Sequence, residues 1–352
     1  GPQITLTFTR DKVKLEDQAA KKRVMTYHSN GKELKLGVIT LPGFYADFDA
    51  YQKGDPNYRS TTKDVRKLLQ ELKKEGVSGV VMDLRNNPGG SLPEAVQLTG
   101  LFIKEGPVVQ IRDPSNRVQL MVDDERDVVY DGPLVVLTNR GSASASEIFA
   151  GAIQDYRRGV IVGESTYGKG TVQQVIDLNR IIQDKEKVGQ LNLTFQKFYR
   201  VTGSSTQHKG VIPDIQLPSA LTAQQFGESS RPGALPWDVI KGTDFQPYPN
   251  VTDQLVANLK RDYQARLSFD ANLKRYIGDV EEAKRNYLDT KISLNEAQRR
   301  KEQEEAKAKS GDVSLDTRIT KEGLPVDELN NLKDEPLREG LLILADILTK
   351  YI

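Results

Sequence analysis

The sequence predicts a mixed α/β protein with a layered core and a helical C-terminal domain. Three observations carry that expectation. Between Thr61 and Gly163, helix-like and strand-like patterns alternate, as they do in α/β layered cores. Beyond Gly170 the pattern turns strand-like in TVQQVIDL and QLNLTFQKFYRV, which makes the core mixed rather than purely parallel. After Pro218, Gly and Pro cluster in GESSRPGALPWD, and helices with long charged faces follow, such as VTDQLVANLKRDYQARL. A length of 352 residues suggests about two domains. The expected partition is a strand segment over 1–20, a core over 21–218, a linker over 219–235 and a helical domain over 236–352.

From Ile4 to Leu15, ITLTFTRDKVKL alternates apolar and polar residues as a half-buried strand does. KRVMTYH and KELKLGVITL form a hairpin around Asn30-Gly31, which supplies the positive φ of a tight turn. His28 beside that turn reads as an ordinary hairpin residue. Val65, Leu68, Leu69 and Leu72 are spaced for a helix over Thr61–Glu75, with Ser60 as N-cap and Gly76 past the end. GVVMDLR is short and apolar enough for a buried strand. LPEAVQLTGLFI, PVVQIRD, PLVVLTN, SEIFAGAIQDY and GVIVG continue the alternation. EAQRRKEQEEAKAKSGD lacks an apolar stripe and reads as a solvated helix or partly disordered arm.

Composition narrows the chemistry. Fifty Lys and Arg against 49 Asp and Glu leave a formal charge of +1, so no global field favours nucleic acid. The absence of cysteine excludes disulfides, thiol nucleophiles and thiolate metal sites. With only His28 and His208, a multi-histidine metal site is nearly excluded. LLILADIL falls well short of the roughly 20 residues a membrane helix needs. The opening GPQITLTF has no initiator Met and no signal pattern, as in a mature product or one carrying a Gly-Pro scar.

Two loops follow predicted buried strands, where open α/β sheets place ligands: Asn86-Asn87-Pro88-Gly89-Gly90, and Gly141 to Glu147. In the second, small residues allow a sharp turn into a helix whose free N–H groups would face whatever Ser144 attacks. The competing reading is that Ser142, Ser144 and Ser146 contend to cap that helix, Glu147 completing a capping box from Ser144. Gly163 to Lys169 matches the start of a phosphate-binding loop, but Gly170 stands where Ser or Thr is required and TVQQVIDL looks like a strand. Ser60-Thr61-Thr62-Lys63 matches S-x-x-K without the partner motifs, so Ser60 is a helix cap. A serine hydrolase without a usable histidine needs another base. Lys169, between two glycines, is the natural candidate if burial lowers its pKa.

DLRNNPGGSLPEAV, GSASASEIFAGAIQDY and VGESTYGKGTVQQ, in that order, resemble the C-terminal processing peptidases, serine proteases of the S41 type. The likeness covers residues 4–218 and continues more loosely through ALPWD and the helical region. It implies a crotonase/ClpP-like layered core, with Ser144 as nucleophile, Lys169 as general base and Gln173 orienting the lysine amine. It also implies an oxyanion hole of Ala145 with Gly89 or Gly90, acyl-enzyme chemistry without ATP, and no cofactor or metal. Asp155 is implicated too, yet on a straight helix it would stand about 16 Å from Ser144. Its expected role is therefore to support the site or pair with a cation.

The family resemblance further implies unfolded substrates with apolar C-terminal tails, an adaptor protein as a partner, and the bacterial periplasm. A carboxylate-binding PDZ module normally precedes the strand that ITLTFTRDKVKL resembles, and none is found here, so slower or less selective cleavage is expected. Two rival readings remain at this point: a phosphate or nucleotide binder through Gly163–Lys169, and a non-catalytic scaffold.

Overall fold

The computed structural model describes residues 19–29, 32–123, 127–182, 188–289, 291, 293–309, 329 and 332–351. The expected strand over Ile4–Leu15, the Asn30-Gly31 turn and the end of the charged run beyond Lys309 lie outside them. In chain order the elements are β1 (Lys21–Ser29), β2 (Lys32–Thr40), α1 (Phe48–Gln52), α2 (Thr61–Lys74), β3 (Gly79–Asp83), α3 (Leu92–Gly100), β4 (Gly106–Arg112), β5 (Val118–Asp123) and β6 (Leu134–Thr138). Then come α4 (Ala145–Asp155), β7 (Val160–Gly163), β8 (Thr171–Asp177), β9 (Gln190–Tyr199), β10 (Ile215–Gln216), α5 (Asp253–Phe269), α6 (Ala271–Leu288), α7 (Glu296–Lys309) and α8 (Glu335–Asp346).

The larger sheet has the order β1-β2-β3-β6-β7-β10. β1 pairs antiparallel with β2, and every other neighbour is parallel. Its central strands are buried on both faces, which is why GVVMD and LVVLT read as unbroken apolar runs. Alternate residues divide between two cores. Val80, Met82, Val136 and Ile161 pack with the residues of α2, α3 and α4. Val81, Val135, Leu137 and Val162 pack with those of α5, α6 and α8.

α8 is the part of this architecture that the apolar run LLILADIL did not disclose from sequence. Leu341, Ile343 and Leu344 are fully buried. A side chain at Gly79 would meet Leu344 Cδ1 at 2.7 Å, so α8 lies close on β3. Its polar side is neutralised by ion pairs: Arg266 with Glu339 at 3.1 Å and with Asp346, and Arg338 with Asp270 and Glu335, each at 2.6 Å.

The smaller sheet, in the order β5-β4-β9-β8, is wholly antiparallel, and it makes the fold the mixed α/β architecture the pattern change at Gly170 predicts. β5 escaped notice in the sequence. Ser60 caps α2 by accepting the Lys63 N–H, so the S-x-x-K match is only a cap. The parallel strands β3, β6 and β7 end at Asp83, Thr138 and Gly163, and the loops leaving those ends build the site.

Candidate active site

Ser144 closes the loop after β6 and stands at the N-cap of α4 with φ 58° and ψ −112°. A positive φ in a non-glycine residue costs about 1–3 kcal/mol and survives only where its surroundings impose it. Here they do. The Ser142 hydroxyl donates to the Leu84 carbonyl at 2.8 Å, the Ser146 hydroxyl to the Asn87 carbonyl at 3.0 Å, and the Ala143 N–H to that same carbonyl at 3.0 Å. Two of the three serines thus stitch this loop to its neighbour. The Ser144 N–H donates to Glu147 Oε2 at 2.8 Å, while the Ser144 side chain makes no cap bond. Ser144 and Glu147 thus stand in the reciprocal arrangement of a capping box, with the Ser144 hydroxyl facing the Glu147 N–H without a full hydrogen bond.

The neighbouring loop crosses Ser144 closely. A Cβ at Gly89, where φ is +100°, would lie 2.7 Å from the Ala143 carbonyl oxygen and 2.9 Å from Ser144 Cβ, so glycine is required on both counts. Asn87 shapes this loop. Its side-chain Nδ2 donates to the Leu41 carbonyl at 2.9 Å and its side-chain Oδ1 accepts the Gly89 N–H at 2.9 Å. Gly90 turns towards Phe44, with which it forms an isolated bridge. Among the described residues the Gly90 N–H has no acceptor, and the Ala145 N–H is a first-turn donor of α4 with no partner inside the helix.

Lys169 lies on the loop between β7 and β8, half-buried, and its Nζ donates to Gln173 Oε1 at 3.3 Å. Burial pushes its amine below the usual lysine range, against the pull of the Glu228 carboxylate. Among the described residues no hydrogen bond joins Lys169 Nζ to Ser144 Oγ. The amine instead faces a cleft of about 440 Å³ whose lining includes Lys169, Gln173, Thr171, Glu228 and Arg231 but not Ser144. β8 begins directly after Gly170, so no helix N-terminus follows Lys169 to cradle a phosphate.

What ties the two residues together is Glu147, which sequence reasoning treated only as a capping partner. Its fully buried carboxylate accepts four bonds: Ser144 N–H at 2.8 Å, Lys169 N–H at 2.9 Å, Gly168 N–H at 2.7 Å and the Thr166 hydroxyl at 2.6 Å. The Ser144 and Lys169 nitrogens share Oε2, so they lie no farther apart than the sum of those two distances. Burial pushes the Glu147 carboxyl up to about 7 despite these donors. The S-x-x-E spacing signalled the first bond; nothing local could signal the three from residues 166–169.

Asp155, at the far end of α4, is half-buried and paired with Arg200 at 2.6 and 2.9 Å. Burial raises its carboxyl above the usual range while Arg200 opposes the rise. Arg200 also bonds Gln154 and the Gly151 carbonyl, so this pair fastens α4 to the end of β9. Breaking a fully buried pair by removing one partner costs about 3–5 kcal/mol, and this half-buried one should cost less. Asp155→Ala is therefore expected to lower the thermal midpoint clearly while kcat of the folded fraction stays within a few-fold. A fall in kcat as large as that for Ser144→Ala, at an unchanged midpoint, would instead place Asp155 in the chemistry.

A model of peptidase family S41 matches residues 35–217, and one for the C-terminal domain of tail specific protease matches residues 221–349. The chain belongs to peptidase family S41. It is 40% identical over 358 residues to the tail-specific protease of Haemophilus influenzae, covering 98% of this chain and 49% of that protein. The chloroplastic C-terminal processing peptidase of Tetradesmus obliquus is 39% identical over 158 residues, 45% of this chain and 32% of that protein. Among solved structures, the photosystem II D1 C-terminal processing protease is 32% identical with a TM-score of 0.46, over 56% of this chain and 48% of that one. The chain thus spans about half or less of the length of these relatives. No helix among the described residues is long and apolar enough to cross a membrane.

Proposed function

We propose that this chain carries the catalytic unit of an ATP-independent serine endopeptidase, in which Ser144 is the nucleophile and Lys169 the general base. The observation that carries the reading is the Glu147 bridge. One buried carboxylate fixes the backbone of a strained serine and the backbone of a lysine with a lowered amine pKa.

In the proposed reaction, neutral Lys169 accepts the Ser144 proton as Oγ attacks the scissile carbonyl. The amine then protonates the leaving nitrogen, and water, deprotonated by the lysine, releases the acyl group. Gln173 holds the amine between turnovers, and catalytic bonds that are loose in the free enzyme tighten around substrate. The oxyanion is held by the N–H groups of Ala145 and of the glycine pair. The Gly89 N–H is already committed to Asn87, which favours Gly90 as the second donor. Losing one such donor in a serine protease costs about 3–4 kcal/mol of transition-state stabilisation. Asp155 supports the site through Arg200.

The substrates of this reading are unfolded polypeptides with apolar C-terminal tails, delivered in the bacterial periplasm with an adaptor protein among the partners. Its supports are the family and the bacterial tail-specific protease to which the chain is similar. The test is cleavage of an unfolded reporter, without ATP and with chelator, by this chain and by its Ser144→Ala and Lys169→Ala variants. Only the unaltered chain should cut, and equal cutting by all three would discard the assignment. Reporters ending in apolar and in charged tails should be cut at different rates; equal rates would remove tail selectivity from the reading.

The pH dependence follows from the sign of the lysine shift. A base whose pKa is lowered gains its neutral form at lower pH, so kcat/KM should climb with pH through an inflection below the ordinary 10.5. An inflection at or above that value would show that Lys169 is not the base.

A further inference from the structure

Arg85 lies between the end of β3 and the loop that crosses Ser144, and its guanidinium is gripped on two sides. Asp83, two residues away, accepts from Nε at 2.9 Å and from Nη2 at 2.7 Å. Asp334, from the far end of the chain, accepts from Nη1 and Nη2 at 2.7 Å each. Both carboxylates are thus bidentate on one planar fork, the geometry that fixes orientation as well as charge. The Arg85 side chain is only 18% exposed.

The place of Asp334 is in turn set by α8. It is the N-cap of that helix, accepting the Leu337 N–H at 3.2 Å, and α8 is seated by Leu341 and Leu344 in the core beneath β3 and β6. Beyond Arg85 the contacts continue without a gap. The Asn86 N–H donates to Asn139 Oδ1 at 2.8 Å, Asn87 holds Gly89, and Gly89 abuts Ser144.

We propose that Asp334 is a positioning residue for the peptidase reaction: through Arg85 it holds the Asn86–Gly90 loop against Ser144, so that the oxyanion donors are placed from the C-terminal region. This rests on the protease reading above. Asp334 does not touch substrate, and its effect is on an interaction made in the transition state rather than on binding.

Asp334→Asn separates this role from capping. Asparagine and aspartate cap helices about equally well, so a residue that only caps α8 would tolerate the change, whereas a carboxylate gripping a guanidinium at both oxygens would not. For the full chain cleaving the unfolded reporter, Asp334→Asn is expected to lower kcat tenfold or more with KM within twofold and far-ultraviolet circular dichroism unchanged, and Asp334→Glu to recover part of the loss. Amide hydrogen exchange of residues 86–91, measured in the Ser144→Ala chain, should speed up at least tenfold when Asp334→Asn is added, while β6 and β7 keep their protection.

Unchanged exchange over 86–91, or unchanged kcat in a chain that cuts, would overturn the proposal. The exchange readout needs no proteolysis. A chain that cuts nothing would remove the protease reading, and the exchange rates would still decide whether Asp334 holds the loop.

Discussion

Ser144→Ala is expected to reduce cleavage of an unfolded reporter by about 10⁴-fold or more, the scale seen when a serine protease loses its nucleophile. Neither neighbouring serine should take over. Ser142 and Ser146 are fully buried, with their hydroxyls donated to the Leu84 and Asn87 carbonyls. The same substitution should leave stability almost unchanged, because the Ser144 side chain makes no cap bond to lose. Ser144→Gly should even raise stability by about 1 kcal/mol, since φ 58° strains any side chain and glycine relieves it. Single-turnover cleavage and thermal melts of the three chains check both halves. A Ser144→Ala chain that still cuts at a tenth of the parent rate would transfer the chemistry to another residue.

Glu147→Ala should produce the second large effect, on activity and stability together. Four donors converge on this carboxylate, and a buried donor left unsatisfied costs about 1–3 kcal/mol. Relaxation and water entry will recover part of that, so a loss of several kcal/mol is expected. The loss of activity should exceed about 10²-fold, because displacing reacting groups by about 1 Å is enough for that. Glu147→Gln gives the sharper measurement. Folded Glu147 keeps its proton to about 7, whereas the unfolded chain releases it near 4.5. Between those values the folded state binds more protons, so this group's contribution is fully present below about 4.5 and lost as pH rises through 7. The parent chain should therefore lose more stability between pH 5 and pH 8 than Glu147→Gln does. An equal loss in both chains, read from denaturant melts, would show that Glu147 does not titrate in that window.

Those two residues mark how far the sequence was legible. Ser144, Lys169 and Gln173 stand in local motifs, and buried parallel strands leave continuous apolar runs, so the core strands and the loops at their ends could be read directly. Glu147 was half legible, because an N3 glutamate signals a cap but its bonds to residues 166–169 are set by tertiary folding. The Asp334–Arg85 pair was not legible at all: an arginine after a strand and an aspartate before a helix are each ordinary. β5 was missed because three of its apolar residues, Val118, Leu120 and Val122, are exposed and mark no core stripe. α8 was recognised only as too short to span a membrane. Nearly all of its residues are buried, the paired charged ones included, because it is enclosed between a sheet and other helices.

The enclosure of α8 also sets the order of events during synthesis. β2 is made about 300 residues before the helix that covers its sheet. Until Glu335–Asp346 have left the ribosome, Val81, Val135 and Leu137 face water on one side, and α8 cannot yet set Asp334 against Arg85. A nascent chain therefore carries the serine and the lysine long before it carries a finished site.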